Sequence, residues 1–306
     1  MRRAKGFIQL AAVSLLVLVF LGPALGAQTI ACPEDLASRT LQSVIDEVPA
    51  GGVLILQKGI YHANVVIAAP ITILGGPGVM LRPEDPSRSV AAIQDTERVV
   101  IQGLTIDHAP LGFDISAASC SIVDCSITTS EIGVDFLSLG QHAIVIQDCT
   151  LRGQGVGLRM VGTGTALVSA CRIEVTGPGM LVGGTTTLIA VGCTITYCGE
   201  GIVAWFGANV FLHANALQAN MLSGLRLSEA PPEVATLVDG VVCATDNRIA
   251  DNINWGIVYG TLDSATCGIP DRQLVGTGNT VTGNGYGAVC PADLIPEGFL
   301  RVDESD

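Results

Sequence analysis

From about residue 100 onward the chain repeats itself, and it does so in three registers at once. One register reads DCSI at Cys125, DCTL at Cys149, ACRI at Cys171 and GCTI at Cys193, then ANAL at Asn215, DNRI at Asn247 and GNTV at Asn279. GLTI at Gly103 stands in the same phase, and the steps from Cys125 onward are 24, 22, 22, 22, 32 and 32 residues. Five residues later runs a second series: Ser130, Gln154, Thr176, Cys198, Asn220, Asn252 and Asn284. A third opens on glycine each time, at Gly112, Gly133, Gly157, Gly179, Gly201, Gly224, Gly256 and Gly287. A fixed period of this length means one small unit stacked on copies of itself.

Each unit holds two or three stretches of three to five residues with period-two alternation, separated by Gly, Asn, Thr or Ser. Val134 and Phe136 face one way and Asp135 the other; Leu158 and Met160 face in and Arg159 out. These are strands with turns between them, and no unit contains the longer 3.6-period run that a helical hairpin needs. One unit cannot bury its inner face alone, whereas coils stacked in parallel at about 4.8 Å pair every backbone amide and close a core. The expected fold is all-β, a right-handed parallel β-helix of about eight coils over residues 51–290.

An open coil is an exposed sheet edge and needs a cap. Residues 27–50 are expected to provide one through an amphipathic helix at Pro33–Val48, with Leu36, Leu41, Val44, Ile45 and Val48 on one side. Residues 291–306 are expected to fold over the other end. The two 32-residue coils carry insertions at Ser228–Val242 and Gly260–Val275.

Residues 1–26 read as a secretory signal peptide. Arg2, Arg3 and Lys5 precede the apolar run Phe7–Leu21, Pro23 breaks it, and Ala24-Leu25-Gly26 offers a small-residue cleavage site. The alternative is an uncleaved leader acting as a membrane anchor, for which 15 apolar residues are short. Cleavage leaves 12 basic and 28 acidic residues, a net −16, with no membrane span in the mature chain. Lys58 is then the only lysine, so a phosphate-binding face, and with it nucleic acid as a partner, is excluded.

The motif N-x-[ILV]-x-x-N-x-x-G-[ILV], present as NALQANMLSGL, NRIADNINWGI and NTVTGNGYGAV, resembles the right-handed β-helix repeat family, which includes NosD-like periplasmic proteins. The stretch TLQSVIDEVPAGGVLILQKGIYHANVVIAAPITILGG resembles the start of pectin-lyase-like chains. The resemblance covers about residues 40–290 and implies the fold. It leaves the activity open, because this fold hosts lyases, hydrolases, esterases, epimerases and non-enzymes.

Ten cysteines in an exported chain suggest disulfides. The repeat changes that: Cys125, Cys149, Cys171 and Cys193 share one column, Cys198 sits in another, and later coils place Asn there. A buried ladder of small residues is the expected role. Cys243 and Cys267 flank the insertions and are the expected disulfide. His62, His108, His142 and His213 fall in different phases, so no metal site and no cofactor is expected.

The outward column of the third strand reads Asp114, Asp135, Arg159, Leu181, Val203, Arg226, Val258, Val289. Asp114 and Asp135 would stand about 5 Å apart on adjacent coils. Two carboxylates that close share a proton, giving an acid beside a base or nucleophile, with Arg159 to stabilise an anion. The arrangement resembles pectin methylesterases, with GVDFLSLG (Gly133–Gly140) similar to that family's GTVDFIFG. The resemblance implies Asp135 as nucleophile-like and Asp114 as its acid/base partner. That family's LGRPW tract is absent here, and Asn64 stands where its entrance motif has Glu. Further along, Leu181, Val203 and Trp205 point outward. They are expected either to lie under the Ser228–Val242 insertion or, with Trp205 and Trp255 stacking on pyranose rings, to form a sugar platform.

Two functions follow as expectations. One is an exported, non-catalytic β-helix protein that binds a polysaccharide or an envelope component. The other is a carbohydrate-active enzyme on uronate-type polymers, esterase- or lyase-like, using Asp114, Asp135 and Arg159.

Overall fold

The computed structural model describes residues 28–32, 39–205, 207–228, 240–260, 273–290 and 295–300. The signal-peptide reading falls on residues outside this set. The chain winds into a right-handed parallel β-solenoid of about nine turns of roughly 22 residues. One face is an eleven-stranded parallel sheet running from Thr29–Cys32 to Gln273–Thr277. The rest of each coil supplies a second and a third strand, such as Thr150–Gly153 and Val156–Gly162. The strands Thr105–Ser116 and Ser126–Ser138 run unbroken around the bend between those two positions.

Backbone chirality sets the corner before the second strand. Asp124, Asp148, Ala170, Gly192, Ala214, Asp246 and Gly278, each just before a ladder residue, all have φ between 51° and 72°. This left-handed corner turns the chain inward, and the ladder side chain that follows is buried. In the later coils that side chain is asparagine. The Asn215 amide N–H donates to Asn247 Oδ1 at 2.9 Å, and Asn215 Nδ2 donates to the same oxygen at 3.0 Å and to the Ala190 carbonyl at 2.9 Å. Asn247 repeats the pattern on Asn279, and Asn220, Asn252 and Asn284 form a second ladder. In the earlier coils the same position holds a thiol. Cys149 Sγ donates to the carbonyls of Gln147 and Ile122 at 3.2 and 3.5 Å. Burial pushes the Cys120 thiol up to about 12 and the Cys198 thiol to about 11, so both stay protonated.

The glycine series has a steric cause. A Cβ on Gly157 would lie 2.5 Å from the Gly179 carbonyl oxygen of the next coil, and one on Gly133 would lie 2.6 Å from that of Gly157.

The N-terminal end differs in detail from expectation. Residues 33–38 of the expected helix lie outside the described residues; within these the helix spans Leu41–Ile45, capped by Thr40, whose Oγ1 accepts from the Ser43 amide at 3.2 Å. Its Gln42 side chain donates to the Val66 carbonyl at 3.0 Å and accepts from the Val66 amide at 2.7 Å, so it satisfies a strand edge. Thr29–Cys32, read as part of the helical cap, is a strand paired with Val53–Leu56. At the far end Phe299 is buried in the core, and the Asn279 amide donates to its carbonyl at 3.1 Å.

The expected Cys243–Cys267 bridge is corrected. Cys243 is a free, half-buried thiol pointing outward from the middle of Val241–Thr245, in register with Phe211 and Val275. It lies within the strand rather than at the mouth of a loop. Cys290 is disulfide-bonded, and Cys267 lies outside the described residues.

Candidate functional site on the third-strand face

Parallel register brings the predicted column together. Ala92, Asp114, Asp135, Arg159, Leu181, Val203, Arg226 and Val258 are successive partners on neighbouring coils. The last member is Cys290, not Val289. The Asn ladder explains the slip: Asn284 aligns with Asn252, so Ala288 stands opposite Gly256 and the final strand is shifted by one residue.

Asp135 is tied down. Arg159 Nε donates to its Oδ1 at 2.8 Å and Nη2 to its Oδ2. The carboxylate is 13% exposed and the guanidinium 43%. Asp114, one coil away, makes no such pair. Burial first, and then the negative charge of Asp135, raise its carboxyl above the ordinary value, while Arg159 pulls the other way. The column therefore presents one acceptor fixed by Arg159 and one carboxyl biased toward its protonated form.

The next coils are closed. Leu181, Val203 and Val258 point outward from the coil yet are buried. In the same stretch Arg226 forms a second bidentate pair, with Nε to Glu200 Oε1 at 2.6 Å and Nη2 to Glu200 Oε2 at 2.7 Å. Both residues are 4% exposed. Sequence reasoning placed Arg226 in the column but missed Glu200. The only signal was the extra residue between Asn220 and Gly224 compared with Cys198 and Gly201, which brings Glu200 level with Ser223.

The two tryptophans share this face on either side of the column. Trp205 is partly exposed, lies against Gly183, and stands opposite Ser228. It is two coils, or about 10 Å, beyond Arg159. Trp255 lies four coils, or about 19 Å, beyond Arg159. Its ring packs over Gly287 and edge-on to Tyr286 at 6.1 Å. The two tryptophans therefore do not form one continuous platform with the Asp pair. The Ser228–Val242 insertion, expected as a cover, falls largely outside the described residues.

Asp124 and Asp148, a second adjacent-coil acid pair, occupy the left-handed corner with φ of 52° and 53°. Among the described residues no group of three or more His, Cys, Asp and Glu converges as a metal site. None of the described helices is long and apolar enough to cross a membrane.

A family model described as "Right handed beta helix region" matches residues 133–292. That is more than half of the chain, which therefore belongs to this family. Among solved structures, the fold is similar to an alginate lyase from Paenibacillus sp. str. FPU-7, with a TM-score of 0.61, 14% identity, and coverage of 90% of this chain and 99% of that one. It is also similar to pectate lyase Pel9A, with a TM-score of 0.55, 12% identity, and coverage of 92% and 91%. The periplasmic alginate epimerase AlgG aligns at a TM-score of 0.52 and 12% identity, over 90% of this chain and 83% of that one. At these identities the likeness is one of fold. No curated protein sequence matches the chain.

Proposed function

We propose that this is an exported β-helix protein that binds a polysaccharide on its third-strand face and does not turn it over. The single observation behind this reading is the state of Asp135. Both its oxygens are engaged by Arg159, which fixes the carboxylate in place and makes it a poorer nucleophile or base. Each oxygen keeps a second lone pair with which to accept a hydroxyl hydrogen bond. Trp205 offers an apolar ring about 10 Å farther on, a distance of about two sugar units. The family's fold supports a carbohydrate partner by analogy alone.

The raised carboxyl of Asp114 favours a second reading, in which Asp114 donates a proton during esterase- or lyase-like chemistry on a uronate-type polymer. One experiment separates the two. The secreted chain is applied to a glycan array and, in parallel, incubated with esterified and de-esterified uronates. Binding that weakens in Asp135→Asn, with no turnover, is the expected result. Product release that disappears in Asp114→Asn would replace the binding reading with the catalytic one.

A further inference from the structure

The outer face of the eleven-stranded sheet takes no part in the site above. Its strands contain no Asp, Glu, Lys or Arg from Thr29–Cys32 to Gln273–Thr277, in a chain of net charge −13. Both other faces are charged. The second strands carry Arg152, Arg172, Glu174 and Arg248, and the third strands carry the acid–arginine column.

One in-register column runs down the middle of the neutral face: Val100, Ser121, Val145, Leu167, Ile189, Phe211, Cys243, Val275. None of these belongs to the solenoid's core, although residues on either side of them, such as Ile144 and Ile146, do. The first four are shielded all the same, at 8%, 2%, 2% and 1% exposure. Ser121 Oγ is buried there without a hydrogen-bond partner. The last four are half-exposed and continue the same line. Their flanks are Thr187, Val191, Asn209, His213, Val241, Thr245 and Thr277, and the adjoining corner holds Gly192, Ala214, Asp246 and Gly278, a single charge.

We propose that this open half, centred on Ile189, Phe211, Cys243 and Val275, is a self-association surface where a second copy of the chain packs face to face. Two copies of the same acidic protein repel each other on most approaches. The uncharged face is the one on which they meet without that penalty, and depletion of charge marks the centre of protein interfaces. A two-fold contact needs a patch that complements itself, and an apolar stripe flanked by small hydroxyl and amide groups does so. Four strands of five residues span roughly 19 by 17 Å. That is about 650 Å² over both copies, below the area of a stable specific interface, so the dimer is weak and transient and forms only with rising concentration.

The test uses the chain as secreted by an expression host, its N-terminus read by mass spectrometry, in sedimentation velocity from about 1 to 200 μM. The expected result is a reversible dimer. Its midpoint rises at least about tenfold in Phe211→Glu and in Ile189→Lys, and is unchanged in Gln218→Glu on a second strand. A monomer at every concentration overturns the proposal. So does association that both charge substitutions leave intact. A monomer still beginning at Met1 overturns it in favour of the chain's own leading segment as the occupant. Should both variants misfold by circular dichroism, maleimide labelling of Cys243 in the unaltered chain decides instead. Protection that grows with protein concentration supports the dimer, and concentration-independent labelling overturns it.

Discussion

Arg226 and Glu200 face each other through two parallel hydrogen bonds of 2.6 and 2.7 Å on the outer wall of the solenoid, and both are shielded from water. Removing one partner strands the other's charge in a low-dielectric setting. Arg226→Ala or Glu200→Ala is expected to cost about 3–5 kcal/mol. Replacing both by Met and Leu is expected to cost much less, because no charge is left uncompensated. Denaturant titration of the two single variants and the double variant checks this through the coupling energy.

The Asp114–Asp135–Arg159 column gives a prediction with a sign. Asp114 is raised by burial and by Asp135, so in the fold it holds its proton to higher pH than in the unfolded chain. Stability from this group is fully present below the ordinary value of 3.8 and falls as pH climbs through the raised folded value. Asp114→Asn is therefore expected to raise the Tm at pH 7 and to leave it unchanged near pH 3. In an NMR titration, Asp135→Asn should move the Asp114 midpoint down and Arg159→Gln should move it up. Shifts in the opposite sense would remove the electrostatic account of the site.

Much of this was legible in the sequence, and the reason is mechanical. A parallel coil converts a period into adjacency, so the tracts at Cys125 and Cys149 place Asp135 beside Arg159 without any knowledge of loops. Legibility failed where one residue more or fewer sits in a turn. Val289 was read into the outward column because Gly287 matches the glycine series, but the Asn284 ladder bond fixes Cys290 there. Glu200 was missed for the same cause. At the N-terminus the apolar spacing of Leu41, Val44, Ile45 and Val48 was real, but the α-helix gives way after Ile45 to turns in which the Glu47 and Val48 amides bond back to Val44 and Ile45, and Thr29–Cys32 pairs with Val53–Leu56.

The asparagine ladder should be the most demanding part of the core. Asn247 is buried; its Oδ1 serves both the amide and the side chain of Asn215, and its Nδ2 serves the Leu212 carbonyl at 3.1 Å. Asn247→Ala leaves several buried groups unpaired, and each such group costs about 1–3 kcal/mol. A loss of at least about 3 kcal/mol is expected on that scale, together with loss of hydrogen-exchange protection at the Asn215 and Asn247 amides. Cys171→Ala in the thiol part of the same column should cost less, because a thiol is a weaker donor and behaves mainly as a small apolar group. Equal losses for the two variants would mean that packing volume, rather than hydrogen bonding, sets the strength of the column.

The thiols supply the last prediction. Cys120, Cys125, Cys149, Cys171, Cys193 and Cys198 are free but buried, whereas Cys243 is free and half-exposed on the neutral sheet face. Alkylation requires both access and a thiolate. Burial denies access to all six, and for Cys120 and Cys198 it also holds the thiol near 12 and 11. In the folded, dilute chain at pH 8, peptide mapping after iodoacetamide should therefore find Cys243 modified and these six protected. All six should become reactive together once the solenoid unfolds, because each stands between two coils and is released only when they part. Labelling of Cys149 or Cys171 ahead of global unfolding would show that the wall opens locally at the thiol column, and the close stacking inferred for those coils would not hold.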